Sequence, residues 1–265
     1  MLQTQRHPFH IVDNSPWPIY IAVGLLNFTL SNVLYFHQFK FGGLLVLFAF
    51  SYLSLILIFW WRDIIRESTF LGEHTKAVQQ NLKTGMLIFI LSEVMFFFGL
   101  FWAFFHSALV PDIHIGCIWP PIGINPINPW GFPFANTLIL LTSGASLTWT
   151  HKALLYNNSK EVFDGFHLTL LLALLFTIIQ LHEYILAPFS INDSIYGSIF
   201  FILTGFHGLH VIIGTCFLTV CYFRLKNNHL LIDQHLNLIL AAWYWHFVDV
   251  IWILLFLFVY WWGGK

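Results

Sequence analysis

Seven apolar stretches run through this chain, each long enough to cross the roughly 30 Å hydrocarbon core of a bilayer as a helix. They cover residues 17–37, 41–61, 83–107, 132–151, 161–186, 194–223 and 236–262. In lipid, every backbone N–H and C=O must find its partner inside a helix or in a closed barrel. The stretches are continuously apolar rather than alternating, which argues against the barrel. The expected fold is therefore an all-α integral membrane protein of seven transmembrane helices, forming one polytopic domain over 1–265. Composition agrees. Of 265 residues, 58% are hydrophobic and only 9% charged, where a soluble domain carries about 25% charged residues.

The breaks between stretches orient the chain. The second and third are separated by its most charged segment, Arg62 to Lys83. The third and fourth are separated by a loop from Pro111 to Pro133 that contains Pro120-Pro121, Asn125-Pro126 and Asn128-Pro129, dipeptides that end helices and favour turns. With seven spans, the N-terminus shares a side with the even-numbered loops. That side carries Arg6, Arg62, Arg66, Lys76, Lys83, Lys152, Lys160, Arg224 and Lys226, while Lys40 and Lys265 fall opposite. The excess of positive charge predicts an inside N-terminus and an outside C-terminus. The polar start, Met1 to Pro8, has neither the layout of a signal peptide nor that of an organellar transit peptide. The expectation is insertion from the compartment that makes the chain.

Several function classes drop out early. A net charge of −1 gives no electrostatic case for nucleic acid. Cys117, Cys216 and Cys221 show no paired spacing and imply no disulfide framework or zinc knuckle. No Gly-rich phosphate loop, Ser/His/Asp signature or thiol motif is present, so nothing marks a self-sufficient enzyme.

Glu93 is the only acid in the third stretch, near the middle of its segment Met86 to Phe105. A charge at mid-membrane costs about 2.5–3.5 kcal/mol on insertion scales, which makes the residue a functional candidate by default. The plainer role is a helix-packing hydrogen bond from a neutral carboxylic acid. Other polar groups are expected at comparable depth: His207 and His210 in the sixth stretch, His246 and Asp249 in the seventh. A spacing of three puts each pair on one helix face. Gly205, Gly208 and Gly214 would let another backbone approach the sixth helix closely.

Fourteen histidines invite a metal reading, since haem and copper sites gather imidazoles from several helices. Most of them fall at span ends or in loops, with no adjacent His-His pair on a span and no Glu-x-x-His box. No metal ligand is therefore assigned, and buried polar helix contacts are the expected roles of His207, His246 and Asp249.

A second cluster lies at the inner end of the second stretch, in Trp60-Trp61-Arg62-Asp63-Ile64-Ile65-Arg66-Glu67, followed by His74. Trp at the apolar boundary with Arg just beyond is an interfacial anchor. Arg66, His74, Arg224 and Lys226 would together suit a phospholipid phosphate. Ordinary snorkelling, with intrachain pairs such as Asp63–Arg66 or Arg62–Glu67, is the alternative. His182-Glu183-Tyr184 reads as an interfacial cap, and Tyr260-Trp261-Trp262 as an outer-interface belt.

Taken together the motifs are specific. Pro16-Trp17-Pro18, Trp61 to Glu67, Ser92-Glu93-Val94, Phe101 to His106, Cys117 to Pro121, Gly205 to Val211 and Trp243 to Trp252 resemble, in order and from end to end, the subunit III family of haem–copper cytochrome c oxidases. The resemblance implies seven helices, with the first two (17–61) splayed from a five-helix bundle (83–262) to form a lipid-binding V-shaped cleft. It implies no haem or copper on this chain, those belonging to partner subunits I and II, and no catalytic residue. The complex oxidises cytochrome c, reduces oxygen to water and pumps protons. Subunit III would support assembly, sustained turnover and proton uptake. Glu93 matches the family's carbodiimide-reactive intramembrane carboxylate. Trp61, Arg66, Glu67, His74, His210 and Arg224 match positions that hold structural phospholipid. The expected location is the mitochondrial inner membrane, with the N-terminus in the matrix and the C-terminus in the intermembrane space, or else a bacterial plasma membrane.

A rival reading is an independent transporter or channel in which Glu93, His246 and Asp249 relay protons. It lacks the pair of broken helices in matching halves that many transporters show.

Overall fold

The computed structural model describes residues 7–230 and 235–265; Arg6, counted among the inside basic residues, lies outside them. Among the described residues seven long helices follow one another: α1 Trp17–Phe36, α2 Gly42–Thr69, α3 Lys76–Leu109, α4 Phe132–Leu155, α5 Ser159–Leu186, α6 Ser194–Lys226 and α7 Leu236–Leu255. A wider π-helical segment, Phe256–Trp262, continues α7. A short 3-10 turn, Ile113–Ile115, interrupts the proline-rich loop. No strand occurs among the described residues.

Six of these helices are long and apolar enough to cross a membrane: α1, α2, α3, α5, α6 and α7 with its extension. The exception is α4, which has the length but carries Asn136, Thr137, Thr142, Ser143, Ser146, Thr148 and Thr150. The hydroxyls among them find partners inside the protein, whereas Asn136 donates to Gln180 and its own Oδ1 accepts from none of the described residues. Thr137 and Thr150 bond carbonyls one turn back, while Ser143 accepts from Trp245 Nε1 at 3.0 Å. Thr137 likewise accepts from Trp252 Nε1 at 3.0 Å, and Ser146 and Thr169 share a hydrogen bond of 2.7 Å. Small hydroxyls that bond locally and to neighbouring helices keep such a helix at home in a bundle despite its lower apolarity.

The chain divides into two compact units, residues 1–82 and 83–265. In the first, α1 packs on α2 across a tight turn in which Gln38 and Phe41 take left-handed backbone angles. Trp17 Nε1 donates to Asp63 Oδ2 at 2.9 Å, and the Trp17 ring stacks on Phe59. α2 runs past the apolar limit at Trp61 through Arg62 and Arg66 to Thr69. Backbone hydrogen bonding carries a helix beyond the hydrocarbon, where its charges meet water and headgroups.

In the second unit, α4 packs on α5, α5 on α6, α6 on α7 and α7 on α4, so the four close into a ring. Leu147, Phe166, Leu203, Leu218, Trp245, Trp252 and Leu255 fill its core with 1% exposure or less. α3 meets α6 and α7 through aromatic edges: Phe96 on Phe206 with centroids 4.9 Å apart, Phe97 on Phe247 and Phe101 on Phe258 at 6.2 Å each. Offset and edge-on ring pairs of this kind add about 0.5–1.5 kcal/mol each beyond the area they bury.

Close backbone approach is local. A Cβ on Gly144 of α4 would collide with Asp249 Oδ2, and one on Gly214 would lie 2.9 Å from the Trp245 ring. Gly205 and Gly208 meet nothing within 4 Å among the described residues, so of the three α6 glycines expected to admit a neighbour, Gly214 alone does so among those residues.

Candidate functional site

Glu93 and His210 face each other between α3 and α6. Glu93 Oε2 lies 2.8 Å from His210 Nε2, and His210 Nδ1 lies 2.7 Å from the Phe206 carbonyl one turn back. A carbonyl only accepts, so Nδ1 carries a hydrogen. Nε2 then accepts from a protonated Glu93, or donates to its carboxylate as an imidazolium. Either way one proton sits between the two atoms and the pair is net neutral, which is the arrangement an apolar medium favours.

The pair is walled by rings. Phe97 meets His210 edge-on at 5.1 Å, and Tyr244 lies parallel to it at 6.3 Å. It opens on a groove of about 480 Å³ lined by Met86, Phe89, Phe96, Phe206, Leu209 and Tyr244 among others. The Glu93 side chain is 22% exposed and that of His210 9%, so the acid borders the groove while the imidazole backs it.

His207 does not join this pair. It is fully buried against Phe176 and Trp252, with ring centroids at 5.8 and 5.1 Å, and neither ring nitrogen has a hydrogen-bond partner among the described residues. The expectation of a helix–helix hydrogen bond there gives way to an aromatic contact.

His246 and Asp249 do meet each other, with Nδ1 and Oδ2 3.6 Å apart. The second imidazole nitrogen faces Thr148 Oγ1 at 3.4 Å. Asp249 is buried, its Oδ1 has no partner among the described residues, and Gly144 lies directly against its Oδ2. This pair holds α7 to α4, whereas Glu93 and His210 hold α3 to α6.

The expected phospholipid residues fall in both units. In the first, Trp61 is exposed and Arg66 is 63% exposed; Glu67 and His74 are half-buried. Arg62 pairs with Asp63 at 2.9 Å and Arg66 approaches the same carboxylate at 4.0 Å, whereas the ion contact of Glu67 is with His10, not Arg62. In the second unit Arg224 is buried at the end of α6 and Lys226 is exposed.

Sequence reasoning missed one buried cluster. Glu183 was expected at an interface, yet it is 2% exposed. Its Oε1 accepts from Tyr260 Oη at 2.7 Å and from Gln180 Nε2 at 3.1 Å, and Gln180 Oε1 accepts from Asn136 Nδ2 at 3.3 Å. The correction has a physical cause. The π-helical end of α7 turns Tyr260 inward, so this tyrosine is core and not belt, and it covers the last turn of α5. The signal available in the sequence was the i, i+3 pair Gln180 and Glu183, which share one helix face.

Comparison with known proteins agrees with this architecture. The sequence model of the family described as cytochrome c oxidase subunit III matches residues 7–264. Proteins named cytochrome c oxidase subunit 3 from Prototheca wickerhamii and Arabidopsis thaliana are 54% and 53% identical to it, over 98% and 100% of this chain and 100% of each relative. That from Pylaiella littoralis is 52% identical over 98% of the chain and 95% of the relative. A helical chain that matches in this way from end to end belongs to the cytochrome c oxidase subunit III family.

Proposed function

We propose that the chain is a non-catalytic core subunit of a proton-pumping oxidase, one that binds structural phospholipid and supports assembly, sustained turnover and proton uptake. Electron transfer from cytochrome c to oxygen then runs on haem a and copper in subunits I and II, the main contact being subunit I. The V-shaped lipid cleft implied by the resemblance is part of this reading, as is a single polytopic domain. So is a place in the mitochondrial inner membrane with the N-terminus in the matrix, supported by the charge bias of the loops.

The observation that carries the reading is the Glu93–His210 bond. Both nitrogens of His210 are committed, one to Glu93 and one to the Phe206 carbonyl. A relay residue needs a second titratable partner to hand its proton on; a carbonyl cannot serve. The transporter reading would route a proton from Glu93 to His246 and Asp249, but the bonds of that pair lead to α4 instead. A neutral pair on an apolar groove suits a helix tie that borders acyl chains. Arg66 and Trp61, exposed beside each other's turn of α2, suit a headgroup and its interface.

The test is purification of the intact oxidase in mild detergent, with an optical haem spectrum and native mass spectrometry of subunits and lipids. The expected result is haem that tracks with the two larger partners and phospholipid that tracks with this chain. Stoichiometric haem on the separated chain, or proton flux from the chain alone in liposomes, would overturn the reading.

A further inference from the structure

Three segments of the first unit bring metal-ligating side chains together. His10 comes from the non-helical segment before α1, Glu67 from the last turn of α2, and His74 from the loop that leads to α3. One ligand atom from each lies within 4.8 Å of the other two. His10 Nε2 and Glu67 Oε2 are 4.0 Å apart, beyond hydrogen-bond range, and the two imidazole rings are tilted at 58° with centroids 5.8 Å apart. All three residues are half-buried.

The surroundings hold this convergence in place. The Thr75 hydroxyl donates to the Pro8 carbonyl, and Trp17 Nε1 donates to Asp63. The segment that carries His10 is thus tied on both sides of that residue. Gln79 Nε2 donates to the His74 carbonyl at 3.0 Å and fixes the backbone there. Arg62 and Arg66 both direct their guanidinium groups to Asp63, which leaves Glu67 turned to imidazole.

We propose that His10, Glu67 and His74 form a binding site for a borderline divalent cation of the zinc type. Two imidazole nitrogens and one carboxylate oxygen suit zinc, which takes such sets with water in the fourth position. Calcium and magnesium require mostly oxygen ligands, and copper(I) prefers sulfur. Zinc–ligand bonds of about 2.0–2.2 Å put tetrahedral donors roughly 3.3–3.5 Å apart, so binding draws the three groups inward by about 1 Å. Glu67 has three side-chain torsions for this, and His10 sits on non-helical chain. The bound ion clips the N-terminal segment to the end of α2. No spacing rule exposes the site, because its ligands come from three separate stretches of sequence.

The experiment uses the intact oxidase and zinc alone as probe. Zinc stoichiometry and affinity are measured in chelator-buffered titrations for the native complex and for His10→Ala, Glu67→Gln and His74→Ala, with His37→Ala as a control outside the site. The expected result is one zinc fewer, or at least a tenfold weaker affinity, in each of the first three and no change in the control. X-ray absorption should show a nitrogen and oxygen shell at about 2.0–2.1 Å without sulfur. Equal zinc content in the native complex and a His10→Ala/His74→Ala double variant would overturn the site. Should those variants fail to assemble, hydrogen exchange on the native complex decides: zinc must slow exchange in residues 7–15, and unchanged exchange also overturns it. Glu67 and His74 are shared with the proposed lipid positions, but His10 is not. Loss of zinc with full lipid retention in His10→Ala supports the cation site whatever becomes of the lipid reading.

Discussion

Tyr260 Oη lies 2.7 Å from Glu183 Oε1 and donates to it, joining the end of α7 to the end of α5 across 77 residues. Both side chains are buried. Tyr260→Phe removes one donor and should lower the stability of the subunit by about 1 kcal/mol. Glu183→Leu strands the Tyr260 hydroxyl and a Gln180 N–H and should cost about 1–3 kcal/mol, while Glu183→Gln, which keeps an acceptor oxygen, should cost less. Thermal denaturation of the intact oxidase, followed by retention of this subunit, gives the order. A Glu183→Leu protein as stable as the native one would remove the cluster from any account of stability.

A hydrophobic carbodiimide should label Glu93 and leave Glu183 untouched. The reagent attacks protonated carboxyls and must reach them through lipid. Glu93 borders an open apolar groove, with a proton shared between its Oε2 and His210, whereas Glu183 is sealed in the bundle. Peptide mapping after labelling checks this: Glu93→Gln should abolish incorporation, and Glu183→Gln should leave it unchanged.

Two glycine substitutions should part company. Gly144→Ala drives a methyl group into Asp249 Oδ2, and Gly208→Ala places one where none of the described residues lies within 4 Å. Overpacking of this kind costs about 1–3 kcal/mol. Gly208→Ala should be neutral, or stabilising by roughly 0.5–1 kcal/mol through helix propensity. Yield of assembled complex and its melting temperature measure both.

Arg66→Gln should reduce retained phospholipid without loosening the helices. Its guanidinium is 63% exposed and 4.0 Å from Asp63, a surface pair that contributes little to stability. Lipid counts by native mass spectrometry, set beside an unchanged melt, would match that expectation; unchanged lipid would detach Arg66 from the headgroup role.

What the sequence made legible was whatever hydropathy and helical spacing can encode. Seven stretches became seven helices. The shift of α2 from 41–61 to Gly42–Thr69, and of α3 from 83–107 to Lys76–Leu109, arises because hydropathy reports partition into lipid while the helix follows its own hydrogen bonds. The places of Glu93 and of His210 on their helices could be read separately; their pairing, over 117 residues, could not. Nor could Glu183 be separated from an interfacial cap, because its burial is supplied by Tyr260 and by a change of helical pitch that no periodicity announces. The same limit applies to His10, which looked like one more loop histidine. For His207 and His210, a spacing of three gave one face in common but not one environment: His210 turns to an acid and His207 to Trp252.

The two units differ in when their ties become available during synthesis. In the first, Trp17 with Asp63 and Thr75 with Pro8 are joined before residue 83. A ribosome that has delivered the first two helices and the loop beyond them has delivered both ends of each bond, and the hairpin has what it needs to settle in the bilayer as a nascent chain. The second unit waits for its last residues. Ser143 must await Trp245, 102 residues later, and Trp119 donates to the carbonyl of Gly263 near the very end. A premature stop in the final helix would therefore leave a well-formed N-terminal hairpin attached to an open bundle, a product suited to recognition by membrane quality-control proteases rather than to a functioning complex.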